Sequence, residues 1–280
     1  MAEAYQDEAY PLNGLHGIFA KIEAAGVCDA PVRDLYDEGL SDFYDGFMAE
    51  YAADIPLFEE LAPSPDARVL DLASGAGRIS TALARSGFTV DGLELSRSML
   101  DLAEANLAGE PEPIRSRVTY VQGDMTRFDL PGRYDLLILG ITSISLLMDT
   151  ESRLGLFRCV EKHLADGGIF VFDTLDLEDD NWRKFDRYHD VWTIRTEGEF
   201  DYGIVGQRFY PEQRRFIFNV YRESVDWDGN TRRLIGSSEK AWLTRAELRS
   251  ELGQAGLAIA EERMLGEQRF FIVRRTGGDS

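Results

Sequence analysis

The chain has 280 residues, with 50 Asp+Glu against 30 Lys+Arg and a formal net charge of −20. Nucleic acids and anionic lipid surfaces draw most of their affinity from Lys/Arg clusters, so neither is an expected partner. Hydrophobic residues make up 44%, which excludes a disordered chain and suffices for a sizeable core.

The first segment, 1–62, is read as helical and acidic, holding 14 acids and 2 bases. Apolar residues recur at helical spacing in Leu15, Ile18, Phe19 and Ile22, and again in Phe43, Phe47 and Tyr51. Segment 63–174 alternates apolar runs with helical stretches. The runs are Arg68–Leu72, Thr89–Leu93, Val118–Gln122, Leu136–Gly140 and Ile169–Asp173. They are apolar on both faces, as strands of a covered parallel sheet are. Helices are predicted over 78–86, 97–108 and 151–164, so the fold class is α/β, a doubly wound sheet.

Segment 175–243 is rich in β-branched and aromatic residues. Turn signals at Pro211-Glu212-Gln213 and Asp228-Gly229-Asn230 separate its strands. It predicts an antiparallel β cap inserted into the α/β domain. Thr244-Arg245-Ala246-Glu247 reads as a capping box opening a helix, and two strands close the chain. The expected organisation is a lid over 1–62, an α/β domain over 63–174 and 244–280, and a cap over 175–243.

Three stretches carry chemistry. The first is Asp71-Leu72-Ala73-Ser74-Gly75-Ala76-Gly77, which closes one strand and opens a helix. Small residues at 73, 75 and 77 let the backbone turn tightly and approach a ligand, and the helix N-terminus favours negative charge. The second is Glu94, at the end of the next strand and about 20 residues past the glycines, where a carboxylate can accept both hydroxyls of a ribose. The third is Asp124-Met125 after the third strand, which suits an adenine amine and ring. All three fall on the carboxyl edge of the sheet. A dinucleotide loop would carry a third glycine where this chain has Ser80.

On these residues the chain resembles the class I S-adenosylmethionine-dependent methyltransferases, with Ala73 where the first glycine is usual. The resemblance implies a seven-stranded Rossmann-like sheet and S-adenosylmethionine as cofactor, leaving as S-adenosylhomocysteine. It implies that Asp71, Ala73, Ser74, Gly75 and Gly77 form the cofactor loop. Glu94, Leu95, Met99, Asp124 and Met125 would flank ribose and adenine, and Leu139, Gly140 and Ile141 would line the methionine part. The stretch from Leu35 to Asp45 resembles the Y-D…Y-D helix of small-molecule N-methyltransferases, which would place Tyr36 and Tyr44 near the sulfonium as catalytic residues.

Among three histidines, His189 follows the fifth strand and is a candidate catalytic base and, with Ser143, Ser145 and Asp173, a candidate for the substrate site. His16 and His163 are read as structural. No metal-ligand spacing appears, so no metal is expected. The implied reaction is N-methylation, once or twice, of an amine on a natural product. The acceptor is a ribosomal peptide, as in daptide-type enzymes, or an amino sugar. The loop Ile141–Leu147 lacks the histidine that amino-sugar enzymes can carry, which favours the peptide. A small-molecule O-methyltransferase and a non-catalytic cofactor-binding module are the alternatives. Two cysteines, Cys28 and Cys159, fit a reducing compartment. The first twelve residues lack a basic n-region and an apolar h-region, so a cytoplasmic protein without a membrane partner is expected, and a homodimer is left open.

Overall fold

The structure is a computed structural model describing residues 10–178, 180–186, 188–196 and 199–277. Residues 1–9, read above for a targeting signal, lie outside the described residues.

In chain order the elements are α1 (Gly17–Ala24), β1 (Arg33–Asp34), α2 (Ser41–Met48), α3 (Ile55–Leu61), β2 (Arg68–Leu72), α4 (Arg78–Arg85), β3 (Thr89–Glu94), α5 (Arg97–Ala108), α6 (Glu112–Arg115), β4 (Val118–Gln122) and β5 (Tyr134–Leu139). They continue with α7 (Thr150–His163), β6 (Leu164–Leu175), β7 (Tyr188–Thr196), β8 (Glu199–Tyr210), β9 (Arg215–Asp226), β10 (Thr231–Ala241), α8 (Arg245–Gln254), β11 (Leu257–Leu265) and β12 (Gln268–Arg275). Short 3₁₀ turns occupy Ser143–Leu146 and Asn181–Lys184. The chain divides into two compact units, 36–179 with 243–280, and 1–35 with 180–242.

The first unit holds a seven-stranded sheet in the order β4-β3-β2-β5-β6-β12-β11. The five strands from β4 to β6 run parallel, and β12 and β11 are antiparallel. Each central strand is apolar on both sides because both faces are covered. Leu70 and Leu72 of β2 join Leu137, Leu139, Phe170 and Phe172 in a cluster with Leu156, Phe157 and Val160 of α7 and Leu248 and Leu252 of α8. Val69 joins Leu136, Ile138 and Val171 in the cluster on the other face, with Ile79 and Leu83 of α4 and Phe58 of α3. The period-2 alternation of side chains therefore feeds two cores from one strand. The capping box of α8 forms as expected: the Thr244 hydroxyl accepts from the Glu247 N–H, and the Glu247 carboxylate accepts from the Thr244 N–H.

The second unit is a five-stranded sheet in the order β1-β10-β9-β8-β7, antiparallel apart from β1 beside β10. Leu15 and Phe19 pack with Tyr221 and Ile235 on one of its faces. This corrects the expectation of one helical segment over 1–62. Residues up to Leu35 belong with the inserted strands, because β1 pairs with β10 and the Asn219 side chain bonds the His16 N–H and the Gly14 carbonyl. Only α2 and α3 belong to the α/β unit. The helical periodicity also overreached: Ile18 is exposed, and Tyr51 lies past the end of α2.

Candidate functional site

The parallel strands end together on one edge of the sheet, so the loops after β2, β3, β4 and β5 are neighbours. After β2 the chain turns sharply, with Ala73, Gly75 and Gly77 all at positive φ (51°, 57° and 86°). Gly77 is the left-handed cap from which α4 starts, and a Cβ there would lie 2.0 Å from the Tyr120 hydroxyl oxygen. Only glycine satisfies both conditions. Gly75 differs: a Cβ on it would meet nothing within 4 Å. Its exposed backbone is thus a cradle open on the ligand side.

The Glu94 carboxylate lies across this turn. One oxygen accepts from the Gly75 N–H at 2.9 Å and the other from the Ser96 N–H at 2.8 Å. Each oxygen keeps lone-pair capacity for a hydroxyl, so a ribose diol fits against it. Leu95, next in sequence, is 64% exposed and offers an apolar surface beside that position. Met99 and Leu139, in contrast, are buried in the interior. Met125 is half-buried and packs against the core cluster.

Asp71 is buried and accepts from the Ser80 hydroxyl at 2.7 Å, while its other oxygen has no hydrogen-bond partner among the described residues. Burial pushes its carboxyl up to about 7, against the pull of Ser80 and of Arg78. A buried acceptor left open beside a cradle fits an incoming donor such as the ammonium of an amino acid. Asp124 is more committed. One oxygen accepts from the N–H and hydroxyl of Thr126, closing a local turn, and the other pairs with Arg127 at 3.1 Å.

After β5 the chain makes a second unusual turn. Ile141 and Thr142, both β-branched, have φ of 54° and 56°. Such residues rarely adopt this conformation. The Thr142 N–H donates to the buried Asp173 carboxylate at 2.9 Å. Ser145 is buried in the 3₁₀ turn that follows, and Ser143 is half-buried.

Tyr36 and Tyr44 come together edge to face, with ring centroids 5.3 Å apart. Two contacts tie their segment to the start of α5 and to the glycine turn. The Tyr36 carbonyl accepts from the Ser96 hydroxyl at 2.7 Å. Asn106 of α5 donates to the Asp45 carboxylate of α2 and to the Ala76 carbonyl, both at 3.2 Å. Burial raises the Tyr44 phenol above its ordinary value, and Asp173 adds to the rise. It stays protonated at neutral pH. His189 belongs to the other unit, where it is exposed beside Phe19 and His16, with ring centroids 6.1 and 5.9 Å away.

Sequence reasoning missed an arginine. Arg78, directly after Gly77, makes a two-pronged pair with Asp54 at 2.8 and 2.6 Å and donates to the Tyr51 carbonyl. The Tyr51 hydroxyl donates to Gln268, and Gln268 donates to Asp173 at 2.9 Å. An arginine opening a helix, where the dipole disfavours a cation, was the available signal. Among the described residues no three His, Cys, Asp or Glu side chains are grouped to hold a metal ion. No helix among them is long and apolar enough to cross a membrane.

A parallel five-stranded core extended by an antiparallel pair, with a glycine turn and the Glu94 carboxylate on its carboxyl edge, is the class I S-adenosylmethionine-dependent methyltransferase fold. Residues 69–168, within the α/β unit, match the family described as a methyltransferase domain. The chain is 33% identical over 141 residues to YqeM of Bacillus subtilis (strain 168), a protein designated a methyltransferase, covering 49% of this chain and 54% of that one. It is 27% identical over 145 residues to the cypemycin N-terminal methyltransferase of Streptomyces sp, covering 51% and 57%. The chain thus spans about half the length of these curated relatives. Among solved structures it is similar to the sugar N-methyltransferase KedS8 from Streptoalloteichus sp ATCC 53650, with a TM-score of 0.70 and 22% identity over 85% of this chain and 93% of that one.

Proposed function

We propose that this protein transfers the methyl group of S-adenosylmethionine to an amine nitrogen on a natural product. The observation that carries the reading is the open backbone at Gly75 flanked by Glu94 and the half-satisfied Asp71 carboxylate. Glu94 would hold the ribose, Leu95 would cover the adenine side, and Asp71 would accept from the methionine ammonium. Bound S-adenosylmethionine supplies an electrophilic methyl on a positively charged sulfur.

The amine must be neutral when it attacks, so an ammonium that reaches the site first gives up a proton. Its lone pair forms the N–C bond as the C–S bond breaks, the sulfur keeps that electron pair, and the resulting ammonium gives its proton to solvent. The chain's task is to hold the nitrogen in line and exclude competing water. Tyr44 and Tyr36 are phenols, Tyr44 held well protonated. The Asp173 carboxylate already accepts two hydrogen bonds on one oxygen. These groups orient a nitrogen more readily than they ionise a hydroxyl. That supports N-methylation over O-methylation.

For the acceptor, the reading is a peptide-borne amine. The loop 141–147 carries no histidine, and cypemycin N-terminal methyltransferase is among the relatives. The similarity to a sugar N-methyltransferase keeps the amino sugar as the rival. Incubation with S-adenosylmethionine and a panel of amine-terminated peptides and amino sugars distinguishes them by a mass gain of one or two methyl groups. Methylation of hydroxyl-only acceptors in place of amines refutes the N-methyl reading. Tight cofactor binding with no product on any acceptor favours a non-catalytic module.

A further inference from the structure

The turn after β5 is held open by a chain of hydrogen bonds running through residues outside the cofactor loop. Thr142 N–H reaches Asp173 on β6. Gln268 on β12 donates to the same Asp173 oxygen and accepts from the Tyr51 hydroxyl. The Tyr51 carbonyl accepts from Arg78, and Arg78 is clamped by Asp54 at the start of α3. The relay thus joins the two strained turns of the edge, 73–77 and 141–142, through the link between α2 and α3. Asp173 is fully buried, so the acceptor it presents to Thr142 is shielded from competing water.

The placement of the second turn gives the relay a task. The order β3-β2-β5 puts Glu94 on one side of the glycine turn and residues 140–142 on the other. β2 pairs with β5 so that Asp71 lies opposite Ile138, only three residues before Ile141. Two strand spacings separate the β3 and β5 ends, roughly 10 Å. A ligand whose ribose is held at Glu94 and which crosses the turn brings its far end to Ile141 and Thr142. Two consecutive β-branched residues at positive φ are costly, and they persist where surrounding bonds over-determine them. The bonds that do so here are those of the relay.

We infer that Asp173, Gln268 and Tyr51 are positioning residues, which lock the Ile141–Thr142 turn against the methionine arm of the cofactor and so set the direction of its methyl group. This rests on the cofactor reading above and adds residues from β6, β12 and the α2–α3 link to it. It makes recognition of the arm separable from recognition of the adenosine.

Calorimetry with two probes tests it: S-adenosylhomocysteine, which has the arm, and 5′-methylthioadenosine, which lacks it. Asp173→Ala and Gln268→Leu should weaken S-adenosylhomocysteine about tenfold or more and leave 5′-methylthioadenosine within twofold. Asp173→Asn keeps an acceptor for the Thr142 N–H and should restore affinity to within threefold of the unaltered protein. Thr142→Gly, which relaxes the strained φ, should reduce the penalty of Gln268→Leu when the two are combined. If Asp173→Ala does not fold, Gln268→Leu and Tyr51→Phe decide the matter, since neither empties the core. Equal losses for both probes, or none, overturn the positioning role. Failure of the unaltered protein to bind either probe overturns instead the cofactor reading on which it rests.

Discussion

The two units of this protein differ in where they place buried charge. In the α/β unit the central strands are apolar on both sides, and helices supply the apolar partners. Its enclosed ion pair, Arg153–Glu251 at 2.7 Å, ties helix α7 to helix α8 outside the sheet, whereas the antiparallel unit buries an ion pair between its strands. Asp201 on β8 and Arg222 on β9 form an ion pair at 2.7 Å with both side chains almost fully enclosed, and Asn219 is buried beside them in sequence. An apolar strand can be matched by any well-shaped apolar neighbour, whereas a buried ion pair accepts one geometry. The parallel strands are therefore the tolerant frame, and the antiparallel strands the part whose sequence specifies detail.

The largest expected effect tests that contrast directly. Arg222→Ala leaves the Asp201 carboxylate buried without its partner and should cost ~3–5 kcal/mol in denaturant unfolding. Replacing both residues by apolar ones of similar volume should recover most of that loss. If Arg222→Ala alone costs under ~1 kcal/mol, the pair is solvated in solution and the contrast fails.

A second test concerns a buried carboxyl on the parallel sheet. Burial raises the Asp71 carboxyl to about 7, above the ordinary carboxylate value. Between the two values the folded state holds a proton that the unfolded state has released. Stability from this group is therefore full at low pH and falls as pH rises toward 7. Asp71→Asn keeps an acceptor for Ser80, so it should flatten that slope and stabilise the protein at pH 7 by up to roughly 4 kcal/mol. If the slope persists in the variant, the carboxyl is ionised across the range.

Function and stability part company at Glu94. Its carboxylate bridges the N–H groups of Gly75 and Ser96, both half-buried residues, so Glu94→Ala should change stability less than it changes affinity, weakening S-adenosylmethionine at least tenfold, ~1.4 kcal/mol. Unchanged affinity refutes the ribose assignment.

The legible parts of the sequence were those where one local rule decides. Apolar runs bounded by turns gave the parallel strands, glycines gave the turn after β2, and Thr244 with Glu247 gave the start of α8. The rest depends on partners distant in sequence. Nothing near Asn219 reveals that it binds Gly14 and His16, so the break after Leu35 was invisible. The same holds for Gln268, whose value lies in Asp173 and Tyr51, 95 and 217 residues away. Ile141 and Thr142 look like strand residues, and only the Asp173 anchor on the next strand allows their positive φ.

The smallest expected effect concerns the acidic N-terminal charge, now divided between the units. Residues 36–62 hold eight acids and no base, and they include α2, which Asn106 ties to the glycine turn. Two of these acids are matched, Asp54 by Arg78 and Glu60 by Arg263. The others form a negative field on the α/β unit near the proposed methyl site, and such a field attracts a cationic amine over a distance set by salt. The screening length falls from about 30 Å at 0.01 M to about 8 Å at 0.15 M, so the attraction should weaken steeply across that range. For an amine acceptor identified in the panel, KM should rise by about two- to fivefold between those salt concentrations with kcat unchanged. Asp37→Asn combined with Glu38→Gln should remove part of that dependence. A KM independent of salt means that these acids serve only as a solvated helical face, and that the amine finds the site by contact with the tyrosines alone.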